Sequence, residues 1–338
     1  MIKEAIEAIV NDERDLTEEE AAAAMQDILA GEATPAQVAA FLVGLRMKGE
    51  AVDEIAGMAR VMRDHALQVK VEGPLLDTCG TGGDGKGTFN VSTAAAFVAA
   101  GAGARVAKHG NRAMSSGCGS ADVLEALGAR IDLTPEQVTR CIEEIGFGFM
   151  FAQAFHPAMK HAAPTRREIG VRTAFNILGP LTNPAHAQHQ LLGVARREIA
   201  PLMAAVLERL GSKHVLVVHG HGGCDELTLD GPNEVYEMNG GETSEYTTSA
   251  QELGLTTALP SAIRGGTPEQ NAAVLTSVLL GEKGPVRDVV LLNAAAALVA
   301  ADIARNLPDG VQRAAEAIDS GEASARLKAF VELSASFA

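Results

Sequence analysis

Asp77-Thr-Cys-Gly-Thr-Gly-Gly-Asp84 is the most informative stretch of this 338-residue chain, because Asn90-Val-Ser-Thr93 follows it six residues later. Leu75 and Leu76 precede the stretch and predict the end of a buried strand. The glycines of the stretch allow the backbone to turn at positive φ and to approach a ligand closely. The second stretch then predicts the start of a helix of small residues that runs to Ala100.

A strand, a glycine loop and a helix N-terminus in this order predict an anion site. Unpaired backbone N–H groups at the start of the helix point back at the loop, and the helix dipole also favours negative charge. Phosphate is the ligand that suits such a site. Glycine loops also serve as tight turns, so the motif alone leaves this simpler interpretation open.

A second loop is rich in hydrogen-bond donors and has the sequence Lys108-His-Gly-Asn-Arg-Ala-Met-Ser-Ser116. It follows a predicted short strand, Arg105 to Ala107, and precedes Ser120, which we expect to cap the next helix. Cations, hydroxyls and backbone amides are the groups that bind a polyphosphate. A solvated basic loop is the alternative. The chain is acidic, however, with 28 basic and 43 acidic residues and a net charge of −15, so two such loops favour a phosphate site.

A third motif points to a metal ion and reads His219-Gly-His-Gly-Gly-Cys-Asp225-Glu226. It follows an apolar run, Val215 to Val218, that predicts a buried strand, and α/β sheets bind ligands just past their strand ends. Adjacent carboxylates suit Mg²⁺, which also takes waters and substrate phosphates as ligands. The histidines and Cys224 suggest zinc instead, but their spacing fits no closed four-ligand site and the chain contains no Cys-x-x-Cys. A solvated turn is the remaining alternative for the acidic pair.

The composition narrows the class of protein. Hydrophobic residues make up 47% of the chain, which predicts a sizeable core, yet no apolar run approaches the length of a membrane helix. The net negative charge repels nucleic acids and membranes, and an aromatic content of 4% without Trp offers little for base stacking. Four cysteines without a disulfide-framework spacing, and an N-terminus unlike a signal peptide, predict a cytoplasmic protein.

The pattern of apolar residues divides the chain into two kinds of structure. Residues 1–70 predict helices only, with capping boxes that begin at Thr17 and Thr34. From residue 71 onwards, strand, loop and helix signals alternate. Short apolar runs at Ile131–Leu133, Phe147–Phe151 and Leu191–Ala195 predict buried, mostly parallel strands. Turn signals at Asn239-Gly240-Gly241 predict a hairpin.

Taken together and in this order, the motifs resemble the anthranilate phosphoribosyltransferases, a family of nucleoside-phosphorylase-like transferases. The resemblance covers most of the chain and rests on the stretches Gly80-Thr-Gly-Gly-Asp84, Asn90-Val-Ser-Thr93, Lys108-His-Gly-Asn-Arg112, Gly119-Ser-Ala-Asp-Val-Leu-Glu-Ala-Leu-Gly128, His156-Pro-Ala-Met-Lys160 and Arg172-Thr-Ala-Phe-Asn-Ile-Leu-Gly-Pro-Leu-Thr-Asn-Pro184.

The resemblance implies an α/β fold in two parts. A small N-terminal all-helical domain takes residues 1–70, with a returning hinge segment near 166–184. A larger α/β domain with a mostly parallel central sheet takes residues 71–165 and 185–338. The active site then lies in the cleft between the two domains, and the helical domain forms a homodimer interface.

The activity implied is transfer of the phosphoribosyl group of phosphoribosyl pyrophosphate to the amine of anthranilate, a step of tryptophan biosynthesis that releases pyrophosphate. Mg²⁺ is the implied cofactor, with two ions per active site, and no residue is assigned as a general acid or base. The residues implied to bind phosphoribosyl pyrophosphate are Gly80, Gly83, Asp84, Thr88, Asn90, Val91, Ser92, Thr93, Lys108, His109, Gly110, Asn111, Arg112, Ala113, Met114, Ser115, Ser116 and Ser120. Those implied to bind anthranilate are Gly80, Asn111 and Arg166, and those implied to bind metal are Ser92, Asp225 and Glu226.

Three residues depart from the family pattern, namely Phe155, Gly117 and Cys224, and each could alter substrate affinity. His109 and His156 are equally compatible with acceptor contacts and with packing. Two alternative functions are a pyrimidine nucleoside phosphorylase of the same fold and a non-catalytic relative that binds nucleic acid. The intact Asp225-Glu226 pair and the net negative charge argue against the second of these.

Overall fold

The computed structural model describes residues 1–113 and 117–337. Three residues predicted to bind phosphate, Met114, Ser115 and Ser116, therefore lie outside the described residues. Among the described helices, none combines the length and the apolar character that a bilayer crossing needs.

The N-terminal part is helical, as predicted, and consists of α1 (Ile2–Val10), α2 (Glu18–Ala30), α3 (Pro35–Lys48) and α4 (Val52–Asp64). Both predicted capping boxes are confirmed. The Thr17 hydroxyl accepts a hydrogen bond from the Glu20 backbone N–H while the Glu20 carboxylate accepts one from the Thr17 N–H, and Thr34 and Gln37 repeat this exchange.

The rest of the chain is built on a seven-stranded sheet with the strand order β3-β2-β1-β4-β5-β6-β7. Neighbouring strands from β3 to β5 are parallel, and the hairpin predicted at Gly240-Gly241 adds β6 and β7 as antiparallel strands. The strands are β1 (Leu76–Gly80), β2 (Val106–Gly110), β3 (Phe147–Phe151), β4 (His189–Gly193), β5 (His214–His219), β6 (Asn233–Asn239) and β7 (Glu242–Thr248).

Helices connect and cover these strands. They are α5 (Val91–Gly101), α6 (Ser120–Ala126), α7 (Pro135–Ile145), α8 (Ala152–Phe155), α9 (Ala163–Ile169), α10 (Phe175–Leu178), α11 (Ala200–Arg209), α12 (Pro268–Leu279), α13 (Pro285–Ala300), α14 (Leu307–Asp319) and α15 (Glu322–Ser336). Short 3₁₀ turns occupy Pro157–His161, Gly179–Leu181, Arg197–Ile199 and Pro260–Ile263.

The central strands are buried on both faces of the sheet, and alternate side chains of each strand point to opposite faces. On β5, Val215 and Val217 join the core formed with the N-terminal helices, whereas Leu216 and Val218 join the core on the other face, with α5 and α13. A strand buried on both faces reads as a continuous apolar run, which is why β5 was predicted correctly.

The predicted bounds of β1 and β2 are wrong. β1 begins at Leu76 and continues to Gly80, and β2 extends through Lys108 and His109, which the sequence had assigned to a loop. Gly82 and Gly83 do adopt positive φ, at 66° and 74°. Gly80 instead ends the strand.

Two further predictions are corrected by the structure. Ile131–Leu133 forms no strand, and its apolar side chains Ile131 and Leu133 instead pack in the core from the connection between α6 and α7. Ser120 does not cap α6, because it is the first residue of that helix. Gly119 precedes it, and the Asp122 carboxylate accepts the Gly119 N–H at 2.8 Å.

Glycine packing between α2 and α4 gives a test of the helical part. A Cβ at Gly57 would lie 2.2 Å from the Glu18 carbonyl oxygen, which belongs to rigid helix backbone. We expect Gly57→Ala to lower the free energy of unfolding by about 1–3 kcal/mol, measured by urea denaturation, despite the higher helix propensity of Ala.

Gly44→Ala is the matched control within a helix. Its Cβ would lie 3.1 Å from the Ile9 Cγ2 methyl, which belongs to a side chain that can move. We expect its stability to stay within about 1 kcal/mol of the unmodified protein. A Gly57→Ala variant as stable as Gly44→Ala would contradict the close crossing of α2 and α4.

Candidate active site

The acidic pair Asp225-Glu226 folds across the carboxyl ends of the central strands. β4 ends at Gly193, where a Cβ would lie 1.6 Å from the Asp225 carbonyl oxygen. β1 ends at Gly80, where a Cβ would lie 2.4 Å from Asp225 Oδ2. Only glycine fits these two strand ends, so the acidic turn can pack directly against them. Strand order reverses between β1 and β4, which is where open α/β sheets bind ligands.

The acidic pair connects the glycine loop to the start of α5. Asp225 Oδ2 accepts the Gly82 N–H at 2.6 Å, and Glu226 Oε1 accepts the Ser92 N–H at 3.2 Å. The hydroxyl oxygen of Thr93 is buried without a hydrogen-bond partner among the described residues. The structure thus brings together the first and third motifs that the sequence predicted to bind phosphate and metal.

The carboxylates at this point are crowded and poorly solvated. Burial, and then the negative charge of Asp84, raises the pKa of Asp225 to about 7. Burial, and then the charge of Asp225, raises the pKa of Glu226 to about 8. At Glu226 the positive charge of Lys108 opposes the shift without offsetting burial, and a divalent cation would further stabilise both ionised carboxylates.

The donor set fits Mg²⁺. Ligand atoms of Asp84, Cys224 and Asp225 lie within 4.8 Å of one another, and the Cys224 thiol donates to Asp84 Oδ2 at 3.4 Å. Burial raises the pKa of the Cys224 thiol far above its ordinary value, which disfavours the thiolate form that binds metals. Oxygen donors remain, and they are the ligands of magnesium. Asp84, which the sequence assigned to the substrate, is therefore also a candidate metal ligand.

Lys108 lies beneath the start of α5 and is only 1% exposed. Its ammonium group donates to the Thr78 carbonyl oxygen, and lies 3.3 Å from Thr78 Oγ1 and 3.4 Å from Ser92 Oγ. Burial lowers the pKa of Lys108, and the negative charge of Asp77 opposes this shift. The predicted cation is therefore present next to Ser92, but it projects from a buried strand.

The sequence analysis missed the groups that hold β2, the strand that carries Lys108, in place. The buried Asp77 carboxylate accepts hydrogen bonds from the His109 N–H at 3.2 Å and from Asn183 Nδ2 at 2.8 Å. Asn183 Nδ2 also donates to the Ala107 carbonyl oxygen at 2.8 Å. Burial raises the pKa of Asp77, while Lys108 opposes the shift. The only sequence signal was the place of Asn183 in the quoted stretch that ends at Pro184.

The second predicted phosphate loop is only partly directed at the site. The Arg112 guanidinium pairs with Glu125 and, at 3.1 Å, with Asp122 of α6, so its charge is already neutralised. The Ala113 N–H donates to Asp122 as well, at 2.9 Å. The Ser120 hydroxyl donates to the Asn111 carbonyl oxygen at 3.3 Å.

Several other residues that were predicted to bind phosphate contact neighbouring parts of the chain. Asn90 precedes α5, donates to the Cys118 carbonyl oxygen at 3.2 Å and accepts from Asn271 Nδ2 at 2.9 Å. Thr88 forms an isolated bridge with Arg264, and Val91 is buried at the first position of α5. At Gly110, a Cβ would lie 2.2 Å from Ser120 Oγ, so glycine allows β2 and α6 to approach each other.

Two buried histidines pack against each other beside this loop. The ring centres of His109 and His156 are 5.1 Å apart, and neither Nε2 atom has a partner among the described residues. Burial lowers the pKa of His156 to about 4, and burial together with the neighbouring His156 lowers the pKa of His109. Both rings are therefore neutral at physiological pH.

Two arginines lie in the segment from α9 to α10, with Arg166 on α9 and Arg172 between the two helices. Arg166 is partly buried on α9, with its guanidinium carbon 4.7 Å from the centre of the Phe175 ring, whereas its neighbour Arg167 is exposed. Arg172, which the sequence did not single out, donates to the carbonyl oxygens of Gly82 and Gly83 at 3.3–3.4 Å.

Comparisons with known proteins agree with this geometry. Residues 3–66 match the family described as "Glycosyl transferase family, helical bundle domain", and residues 72–324 match "Glycosyl transferase family, a/b domain". An anthranilate phosphoribosyltransferase from Roseiflexus castenholzii is 61% identical over 322 residues, which is 95% of this chain and 95% of that relative.

Two solved structures share the fold over nearly the whole chain. The anthranilate phosphoribosyltransferase of Thermus thermophilus superposes with a TM-score of 0.93, at 50% identity and 99% coverage of both chains. The Saccharomyces cerevisiae enzyme, solved in complex with PRPP and Mg, superposes with a TM-score of 0.92, at 29% identity and with 99% of this chain and 98% of that chain covered. The chain therefore belongs to the anthranilate phosphoribosyltransferase family.

Proposed function

We propose that this enzyme transfers the phosphoribosyl group of phosphoribosyl pyrophosphate to the amine of anthranilate, giving N-(5-phosphoribosyl)anthranilate and pyrophosphate for tryptophan biosynthesis. The observation that carries the proposal is the convergence of the glycine loop, the start of α5 and the Asp225-Glu226 turn at one edge of the sheet. Membership of the family, and the PRPP and Mg complex of the yeast relative, support it.

The phosphoribosyl pyrophosphate site takes its donors from the two loops that the sequence identified. The backbone amides of the glycine loop and of the α5 N-terminus favour the negatively charged oxygens. Lys108 adds a buried positive charge next to Ser92. The residues assigned to this site are Gly80, Gly83, Asp84, Thr88, Asn90, Val91, Ser92, Thr93, Lys108, His109, Gly110, Asn111, Ala113 and Ser120, with Met114, Ser115 and Ser116 beyond the described ranges. Arg112 is the weakest member, because Asp122 and Glu125 already pair with it.

Mg²⁺ would be held by Ser92, Asp225 and Glu226, with Asp84 as a further carboxylate, and we propose two ions per active site. Bound magnesium neutralises charge on the oxygens of the departing pyrophosphate. The chain itself contributes fixed groups around the reacting bond, since Lys108 and the α5 amides stay in place as charge moves to the leaving group. Catalysis by such prearranged charge needs no reorganisation during the reaction.

On the acceptor side, the enzyme has to bind and orient anthranilate, whereas it does not have to activate the amine. Anthranilate is an aromatic amine whose neutral nitrogen is already a nucleophile, so we assign no general base. Its carboxylate requires a cation, and Arg166 is partly buried without an ion pair to any described residue. Gly80 and Asn111 are assigned to the acceptor ring. Placing the amine next to the ribose C1 is then the main contribution of this side.

We also propose a homodimer that forms through the helical domain. This domain consists of residues 1–70 together with residues 166–184. The remainder is a second domain. The family ranges, which change over between residues 66 and 72, support a boundary near residue 70. The packing of Phe175, Ile177 and Leu178 in one core with the N-terminal helices supports the assignment of residues 166–184 to the helical domain. On α3, an outward stripe of apolar residues follows the helical period and consists of Ala36, Ala40, Val43 and Met47, with Met47 83% exposed. Val10 of α1 is 57% exposed. A second copy of the chain would cover this apolar stripe.

The four free thiols support a cytoplasmic location.

The metal assignment is tested with a transfer assay that follows the fluorescence of anthranilate. We expect Mg²⁺-dependent turnover by the unmodified enzyme, and a loss of about 100-fold or more for Asp225→Asn or Glu226→Gln. A carboxyl whose pKa is raised in the folded state destabilises the fold when it is ionised, so these variants should unfold at no lower temperature than the metal-free parent. Near-normal Mg²⁺-dependent activity in either variant would refute the assignment.

The acceptor assignment is tested at two neighbouring arginines. Arg166→Ala should raise the KM for anthranilate about tenfold or more, because a charge-assisted contact is worth about 1.5–3 kcal/mol, while the KM for phosphoribosyl pyrophosphate stays nearly constant. Arg166→Lys should restore only part of the loss, since lysine lacks the bidentate fork. Arg167→Ala is the matched control and should be mild. A severe Arg167 effect with a mild Arg166 effect would move the assignment by one residue.

The dimer is tested by sedimentation of charged variants. Met47→Asp places a carboxylate in the outward stripe of α3 and should convert the dimer to a monomer. Leu280→Asp is the control, because Leu280 is similarly exposed, at 71%, but lies at the end of α12. It should leave the sedimentation coefficient unchanged. An unmodified protein that sediments as a monomer would contradict the proposal.

A further inference from the structure

The guanidinium of Arg166 lies over an aromatic ring contributed by another element. Its central carbon lies 4.7 Å from the centre of the Phe175 ring, well inside the range of about 6 Å for a cation–π contact. Phe175 is 4% exposed and packs in the same core as its neighbours Ala174, Ile177 and Leu178. The ring is therefore fixed, whereas arginine is a long side chain with many rotamers.

The chain reverses between the two side chains. α9 ends at Ile169, and Gly170 follows in the left-handed conformation, at a φ of 67°. This turn allows the first residue of α10, Phe175, to lie against the helix that carries Arg166. The contact therefore depends on the path of the backbone and has no sequence signature of its own.

The contact with Phe175 restricts the guanidinium of Arg166 and gives its N–H groups no conventional hydrogen-bond acceptor. A phenyl ring has no oxygen or nitrogen acceptor, so the N–H donors of arginine remain available to other groups. Burial lowers the pKa of Arg166 without any opposing carboxylate among the described residues. The face of the Phe175 ring is thus the compensating partner for the positive charge, and the fork of donors stays available to a carboxylate.

We propose that Phe175 is a positioning residue for the acceptor, because its ring orients the Arg166 fork towards the carboxylate of an aromatic acid. The inference rests on the proposed function, in which Arg166 binds the anthranilate carboxylate. Phe175 acts through Arg166 and touches no reacting atom. It should therefore affect the binding of the acceptor and not the chemistry of phosphoribosyl transfer.

The test replaces Phe175 in the full chain by phenylalanines that carry one, two or three fluorine atoms. Fluorine withdraws electron density from the ring face while keeping its shape, so the core should remain packed. We expect the KM for anthranilate to rise with each fluorine, and by about 3- to 30-fold over the series. kcat and the KM for phosphoribosyl pyrophosphate should stay within about twofold, because neither depends on the fork.

Two conventional variants give an independent measurement. Phe175→Leu removes the aromatic ring and should raise the anthranilate KM by about 3- to 30-fold. Phe175→Tyr keeps the aromatic ring and should leave this KM near that of the unmodified enzyme. In an Arg166→Ala background, Phe175→Leu should add no further loss in kcat/KM for anthranilate, because the two residues act as one unit. Circular dichroism confirms that each variant is folded before its kinetics are compared.

The outcomes separate this inference from the function on which it rests. If Arg166→Ala raises the anthranilate KM but this KM does not change with the number of fluorine atoms on Phe175, the positioning role is wrong and the proposed function stands. If the Phe175 and Arg166 losses add in the double variant, Phe175 acts independently and the inference is overturned. If Arg166→Ala leaves the anthranilate KM unchanged, the acceptor assignment fails and the positioning role fails with it.

Discussion

Close packing of the Asp225-Glu226 turn against the glycine ends of β1 and β4 is the contact on which the site depends. A Cβ at Gly193 would lie 1.6 Å from the Asp225 carbonyl oxygen, so any side chain there would push the turn away from the sheet. Because the turn lies flat on the strand ends, Asp225 reaches the Gly82 amide and Glu226 reaches the Ser92 amide. One steric constraint therefore places the carboxylates, the glycine loop and the α5 N-terminus next to one another.

Burial then sets the electrostatics of these groups. It raises the pKa of Asp225 to about 7 and that of Glu226 to about 8, while it lowers the pKa of Lys108. Each ionised group is costly alone in a poorly solvated environment, and opposite charges nearby offset that cost. The chain has a net charge of −15, so its attraction for anionic substrates has to be local. In the proposed function, Lys108, the backbone amides of α5 and a divalent cation are the groups that provide it.

The sequence predicted the helical part, the parallel sheet and the family correctly, because these depend on local patterns. Capping boxes such as Thr17 with Glu20 involve residues three positions apart, and β5 is a plain apolar run. β1 and β2 were misjudged since Asp77 and Lys108 resemble loop residues. Their burial is made possible by Asn183, which is 106 residues from Asp77 and whose contact no local pattern reveals. Local patterns also failed to predict the pairing of Arg112, whose positive charge forms ion pairs with Asp122 and Glu125 of α6.

In the proposed function, the segment from α9 to α10 connects the metal side of the site with the acceptor side. Arg166 carries the positive charge assigned to the acceptor, and Arg172, on the far side of the Gly170 turn, holds the carbonyl oxygens of Gly82 and Gly83. The Gly82 amide in turn binds Asp225, so the metal side and the acceptor side are linked by a short series of direct contacts. Transfer between two substrates is fast only when the reacting atoms are held at a fixed separation. A single segment that contacts both sides fixes that separation more closely than two independent loops, because movement of either side displaces the other.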